Sequence, residues 1–261
     1  MSDRSSKRLM LGFKVLDEIP SILRLLADDT VACYRRHHSD LRSVYVIGSV
    51  AVGEWTKGVS DLDVVGVVER ELTTEDEAPR RRELLELGKS WPQVSFINNS
   101  ALSLAALHTE KPDAMVVGRA RIIAVTGLHL WGDNIDFQDY VPSVETMAYG
   151  RAARAKILMK RYRSGIINEP FRSNPRLLAR SSAKAAIRVL SGITILRDAT
   201  FYTSPEQTVM MIATYAPEAM PLARRAFRIV NGAESEPDEA MDITEQAVQL
   251  FYDLYPDPQS P

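Results

Sequence analysis

The sequence predicts an α+β protein, a mixed-sheet half followed by a helical bundle. Three observations carry that prediction. Two short runs rich in β-branched residues, Ser43-Val-Tyr-Val-Ile47 and Asp61-Leu-Asp-Val-Val-Gly-Val-Val68, lie early in the chain, and such runs bounded by turn residues are buried-strand signatures. Five helix-period segments follow residue 136, punctuated by Pro, Gly and Asn, which is the pattern of a bundle. A content of 45% hydrophobic and 25% charged residues in a chain of 261 suits one large domain or two modest ones with a sizeable core. The boundary is placed so that residues 1–135 form the first domain and residues 136–261 the second.

Taken in order, residues 10–38 read as a long helix interrupted at Pro20, with a loose apolar stripe of Ile19, Ile22, Leu23, Leu26, Val31 and Cys33. The strand at 43–47 ends at Gly48, and residues 49–55 fit a short helix. The strand at 61–68 begins with polar–apolar alternation and turns fully apolar, as a central strand with one end at a site does. The charged stretch 73–90 reads as a surface helix carrying Leu84, Leu85 and Leu87. Residues 92–97 fit a third strand ended by Asn98-Asn99. Residues 101–108 and 113–125 read as helices, the second also fitting a strand, and 128–131 as a short strand before the Gly132-Asp133 turn. Helical periodicity then covers 144–163, 175–197, 204–215, 217–231 and 237–255. The tail, 256–261, is expected to be disordered.

Composition also excludes. A formal net charge of −2 lacks the basic surplus of a general nucleic-acid or membrane binder. No apolar run reaches the roughly 18 residues of a membrane span, and residues 1–10 lack the apolar segment of a signal peptide. The single cysteine, Cys33, forms no internal disulfide, which points to a reducing, cytoplasmic setting, and its apolar surroundings point to a packed rather than reactive thiol. The four histidines show no zinc-ligand spacing, with His37 and His38 placed at a helix end where a cation suits the dipole. No Ser-His-Asp order or nucleophile elbow is present.

The chemistry concentrates between residues 44 and 68. Asp61 and Asp63 lie two apart on a strand, so period two puts both carboxylates on one face while Leu62 and Val64 point into the core. Magnesium takes hard oxygen ligands and commonly keeps only one or two protein carboxylates beside substrate phosphates. Gly48 lets a phosphate approach the backbone with no Cβ in the way. Ser49 adds a hydroxyl, and the amides opening the next short helix add further donors. Ser60 is a further hydroxyl. Either half of this pattern alone is common. Together, with an eleven-residue connection between Ser49 and Asp61, they describe a site for a metal-bound nucleoside triphosphate.

Gly48-Ser49 followed by Asp61-Leu-Asp63 resembles the signature of the DNA polymerase β-like nucleotidyltransferase superfamily. The two-part layout resembles the streptomycin/spectinomycin type of aminoglycoside adenylyltransferase. The resemblance implies an N-terminal polymerase β-like mixed-sheet domain and a C-terminal helical domain. It implies AMP transfer from ATP to a hydroxyl of a small, often polycationic acceptor, in a protein that is a monomer or homodimer. By the same resemblance Asp61 and Asp63 bind Mg2+, and Gly48, Ser49 and Ser60 contact the triphosphate. Lys184 and Arg188, one helical turn apart on one face, are the cations toward its phosphates.

The resemblance also implies a third carboxylate on a neighbouring strand. On the predicted strand 92–97 that place falls to Gln93 or Ser95, neither of which is a base at neutral pH. Three accounts fit the sequence: an acid such as Glu69 or Asp113 fills the role; the acceptor needs no strong base, since positioning and metal charge carry most of the catalysis; or catalysis is lost and nucleotide binding kept, as in a sensor or regulator. Transfer onto a macromolecule is a further alternative. An acceptor pocket would draw on Asp133, Asp136, Asp139 and Glu145 with Trp131 and Tyr140, which equally read as linker residues. The acidic stretch 234–242 reads as a solvated loop and helix start.

Overall fold

The computed structural model describes residues 9–12, 14–167 and 171–256. The chain divides into two compact units, residues 13–141 and residues 142–261 together with 1–12.

The first unit is built on a four-stranded sheet. In chain order it contains α1 (Arg24–His37), β2 (Leu41–Ile47), α2 (Gly48–Ala51), β3 (Leu62–Val68), α3 (Thr74–Lys89), β4 (Ile97–Ser103), α4 (Leu104–Leu107), α5 (Ala114–Thr126) and β5 (Leu128–Gly132), with β1 (Met10–Leu11) preceding them in the other unit. The strand order is β4-β3-β2-β5. β2 runs antiparallel to β3 and to β5, whereas β3 and β4 are parallel and are joined through α3, the crossover that a parallel pair requires. Both sheet faces are covered, which is why β2 and β3 read as almost continuous apolar runs. On one face Val44, Val46, Leu62 and Val64 pack with Leu26, Cys33 and Tyr34 of α1 and Leu84 of α3. On the other, Tyr45, Val65, Val67 and Leu102 pack with Ala120 and Ile123 of α5 and with Phe137. Cys33 is fully buried, and burial pushes its thiol up to about 12, so it is the packed thiol that its neighbours suggested.

Three segments depart from the sequence reading. Residues 10–38 are not one helix: β1, the 3-10 turn Ser21–Leu23 and α1 share them. Met10 and Leu11 pair in parallel with Thr200 and Phe201, which ties this end of the chain to the helical unit rather than to the first domain. The third strand is Ile97–Ser103 and not 92–97. Its register, Leu62 opposite Ile97 through Val68 opposite Ser103, places Asn98 and Asn99 inside the strand. Residues 92–96 instead form a turn whose backbone is spoken for: Gln93 O accepts from Gly58 N at 2.7 Å and Ser95 N donates to Ser60 O at 2.9 Å. Residues 101–103 extend β4, so only Leu104–Leu107 of that segment is helical, while Ala114–Thr126 is a helix and not a strand.

The second unit consists of α6 (Val144–Arg163), α7 (Pro175–Asp198), β6 (Thr200–Phe201), α8 (Pro205–Tyr215), α9 (Met220–Val230) and α10 (Pro237–Leu254). α7 is its axis. Its stripe Leu178, Ala183, Ala186, Ile187, Leu190 and Ile193 is buried, and Ser143, Asn174 and Ser204 cap α6, α7 and α8 through side-chain oxygens. At Gly192 the helices come closest. A Cβ there would lie 2.8 Å from the Phe251 ring of α10 and 3.2 Å from the Ala148 carbonyl of α6. Asp238 and Glu239 of the acidic stretch occupy the first turn of α10, where carboxylates suit the dipole. Among the described residues no helix is long and apolar enough to cross a membrane. The tail reading falls, apart from Pro256, outside the described residues.

Candidate active site

The two informative pieces of sequence meet because β2 and β3 are neighbours. Ile47, the last residue of β2, lies opposite Asp63 on β3, so the chain that turns at Gly48 does so beside the carboxylates. Gly48 takes φ +71°, and a Cβ on it would come within 2.8 Å of Asp63 Oδ2. A side chain is thus excluded twice, by a left-handed backbone and by the carboxylate. The turn is braced from α5: Gly48 N donates to Thr126 Oγ1 at 3.4 Å, and that hydroxyl donates to Ile122 O at 3.0 Å. Ser49 is half-buried, and its carbonyl accepts from Glu54 N at 2.9 Å.

Asp61 immediately precedes β3 and Asp63 is its second residue; both are half-buried, whereas Leu62 and Val64 are buried against the face that carries α1 and α3. Asp63 therefore stands on the α5 face, continued along the strand by Val65 and Val67, with Asp61 two positions before it. Ser60 sits beneath them. It is buried, its Oγ accepts from Thr56 N at 3.0 Å, and its carbonyl ties down Ser95, so its hydroxyl latches the 56–60 loop.

The position facing Asp63 on the neighbouring parallel strand is Asn98. Its Nδ2 donates to Asp63 Oδ1 at 2.6 Å. Neither Gln93 nor Ser95 stands there, since both precede the strand. Glu69 follows the far end of β3, six positions from Asp63 or about 20 Å at the usual rise, and accepts from Arg42 Nη1 at 2.9 Å. Asp113 caps the start of α5 by accepting Met115 N at 2.7 Å, about 20 Å along that helix from Thr126. The residue facing Asp63 on β4 is thus a neutral amide. Sequence spacing could not find Asn98, because only the β3–β4 register brings it beside Asp63.

The donor set fits a hard divalent cation. Two carboxylates on one side of a strand end, with a backbone turn kept clear of any Cβ, leave room for phosphate and water as the remaining ligands. Asn98 offers such an ion at most a carbonyl oxygen, and it cannot take up a proton from an acceptor.

Four of the six residues proposed for an acceptor pocket have other partners. Asp133 accepts from Arg42 Nε at 2.8 Å, Asp136 accepts from Gln138 N at 2.8 Å, the Arg35 guanidinium lies 5.2 Å from the Trp131 ring, and the Tyr140 ring lies tilted against Phe137 at 6.2 Å. Lys184 and Arg188 lie on α7 in the helical unit, Lys184 half-buried and Arg188 exposed. Arg188 O accepts from Ser191 Oγ at 2.7 Å and from Arg151 Nη1 at 3.3 Å. Burial and the neighbouring Arg188 charge push the Arg151 guanidinium down to about 9.

Comparison with known proteins gives a domain family and a fold. Residues 32–101, which contain β2, the Gly-Ser turn, Asp61, Asp63 and Asn98, match the family model of the nucleotidyltransferase domain. A sequence search against curated proteins returns no match. Among solved structures, the chain is similar to the spectinomycin adenyltransferase AAD(9) from Enterococcus faecialis, determined with ATP and spectinomycin. The TM-score is 0.59 at 12% identity, covering 86% of this chain and 99% of that one, a likeness of fold. Two further matches cover about half of this chain with TM-scores too low to argue from: a toxin–antitoxin complex with AMP-PNP, at 0.32, 15% identity and 90% of that chain, and the tri-AMPylated Shewanella oneidensis HEPN toxin in complex with MNT antitoxin, at 0.30, 15% identity and 90% of that chain. Residues 32–101 thus match the nucleotidyltransferase domain family, and the chain shares its fold with the AAD(9) structure.

Proposed function

We propose that this protein transfers a nucleoside monophosphate, AMP from ATP, to a hydroxyl of a small molecule, with Asp61 and Asp63 holding the Mg2+ that accompanies the triphosphate. The observation that carries the reading is the closeness of Gly48 to Asp63, where a Cβ would meet the carboxylate at 2.8 Å. In the transfer the acceptor oxygen bonds to the α-phosphorus, the bond from that phosphorus to the bridging oxygen breaks, and pyrophosphate leaves. Magnesium, when bound, neutralises charge on the triphosphate and aligns it. Gly48 admits the phosphates close to the backbone, with Ser49 at the start of α2 as a hydroxyl donor. Asn98 fixes the Asp63 carboxylate through its 2.6 Å hydrogen bond. Ser60 acts on the triphosphate indirectly, by holding the loop that presents Asp61. Lys184 and Arg188 are proposed as cations toward the phosphates on resemblance alone. The fully buried thiol of Cys33, the single cysteine, suits a reducing, cytoplasmic setting.

The adenyltransferase with this fold was determined with ATP and spectinomycin, so aminoglycosides and aminocyclitols head the acceptor panel. Pyrophosphate release is expected to require Mg2+ and acceptor, and Asp61→Asn or Asp63→Asn is expected to lower it by at least a thousandfold. Full turnover in both variants would end the assignment.

A second reading is favoured by Asn98, a neutral amide where the superfamily's third carboxylate is expected: the chain binds Mg-ATP and transfers nothing, as a regulator would. Calorimetry that detects Mg-dependent ATP binding, with no product from the whole panel and no mass increase on co-incubated protein or RNA, would favour it. A single transfer product would exclude it.

A further inference from the structure

The strongest unassigned cluster lies away from the carboxylates, between α1 and α3. Cys33 and His37 are one turn apart on the same face of α1, and Glu83 comes from α3, which packs on it. Cys33 Sγ, His37 Nε2 and a Glu83 carboxylate oxygen all lie within 4.8 Å of one another. His37 Nε2 is 2.7 Å from Glu83 Oε2, while Arg36 Nη2 bonds the other oxygen, Oε1. Cys33 is fully buried, but the His37 and Glu83 side chains are 25% and 38% exposed. Glu83 and Arg36 also line an open depression with Asp29, Glu86, Leu87 and Ser90. The cluster is thus closed on the thiol side and open to solvent on the carboxylate side.

From this geometry we propose that Cys33, His37 and Glu83 form a zinc site with three protein ligands and a fourth, solvent-facing position. One sulfur, one imidazole nitrogen and one carboxylate oxygen are the donor set of a borderline-soft divalent ion. It differs from the all-oxygen set of Asp61 and Asp63, which suits magnesium. Bonds of about 2.0–2.3 Å to a central tetrahedral zinc need the three donors roughly 3.3–3.7 Å apart, so binding requires the cluster to close by up to about 1.3 Å where donors stand near 4.8 Å and the His37–Glu83 pair to open slightly. Binding replaces the thiol proton, which passes to solvent, and leaves Arg36 on Oε1 as the outer partner that orients the carboxylate. The bound ion would staple α1 to α3, the two helices that cover the Leu62 and Val64 face of the sheet. No spacing in the sequence announces this site, because Glu83 is 46 positions from His37. The proposal does not depend on the transferase reading.

Cobalt is the probe. Because Cys33 is the only cysteine, a thiolate-to-cobalt charge-transfer band in the near ultraviolet can arise only there. Titrating the full chain with Co2+ is expected to give such a band saturating at one equivalent, with visible bands of a four-coordinate ion, and one equivalent of Zn2+ is expected to abolish them. Asp61→Asn/Asp63→Asn should leave the band intact. Cys33→Ser should remove it, and since that side chain is buried, the partly exposed His37→Asn and Glu83→Gln serve as independent tests, each expected to weaken Co2+ binding at least tenfold. Absence of a thiolate band at millimolar Co2+, or a band unchanged in His37→Asn and Glu83→Gln, overturns the proposal.

Discussion

Asn98 is the residue that separates the two proposed readings. Its amide donates to Asp63 Oδ1 at 2.6 Å from the adjacent strand, so the carboxylate is held by a neutral donor rather than faced by a third negative charge. Asn98→Asp would restore three acids around one cation. Affinity for hard divalent ions rises with ligand charge, so Mn2+ binding measured by calorimetry should tighten about tenfold or more, while the metal-free protein should lose stability as the new carboxylate faces Asp63. Unchanged Mn2+ affinity would place Asn98 outside the site. Gly48→Ala tests the other side of the same contact. A left-handed backbone costs an L-residue roughly 1–2 kcal/mol, and the added methyl would displace a carboxylate now 2.8 Å from it. ATP binding should weaken at least tenfold, with a lower melting temperature. At this scale Gly48-Ser49 and Asp61-Leu-Asp63 stand out in the sequence because each motif is local, and the structure brings Gly48 beside Asp63. Asn98 does not, because its closeness to Asp63 is set by the register of two strands and a separation of 35 positions.

Elements were legible where local chemistry and tertiary demand agree. α3 has a sequence-encoded start: Thr73 Oγ1 accepts from Asp76 N at 3.2 Å, and Asp76 Oδ2 accepts from Thr73 N at 2.8 Å. This is a reciprocal capping box. Thr73→Ala should therefore cost about 1 kcal/mol, read as a lower denaturant midpoint with an unchanged slope. The end of α7 runs the other way. Ala199 holds φ 59° as the left-handed cap, a position glycine fills without strain, so Ala199→Gly should stabilise the protein by roughly 0.5–1 kcal/mol. A loss of stability there would mean that the buried methyl of Ala199 outweighs the backbone strain. β4 is the element the sequence misplaces, for a physical reason: Val94 and Phe96 alternate with Gln93 and Ser95, so residues 92–97 read like a strand although 92–96 form a turn. The full pairing of β3 selects Ile97–Ser103 instead.

At the scale of the whole molecule, the two-part layout was readable because hydrophobic period changes from strand-like to helical along the chain. The attachment of residues 10–11 to the helical unit was not, since a two-residue strand has no periodicity to read. Each unit closes its own core, and each has a glycine at a buried contact with an aromatic ring. In the sheet unit, a Cβ on Gly66 would lie 2.4 Å from the ring of Tyr34. That ring is fully buried, pinned by a 2.7 Å hydrogen bond from its hydroxyl to Ser100 O, and cannot swing aside. In the helical unit, Gly192 meets the buried Phe251 ring and the fixed Ala148 carbonyl. Overpacking of this kind typically costs about 1–3 kcal/mol. Hydrogen exchange read by peptide then separates the two cores. Gly66→Ala should lower protection in α1, β2, β3 and β4, and Gly192→Val in α6, α7 and α10, each leaving the other unit's protection unchanged if the two open separately. A uniform loss across both units from either substitution would mean instead that the sheet carrying Asp61, Asp63 and Asn98 and the helices of the second unit open as one cooperative body, so that neither core could be destabilised without the other.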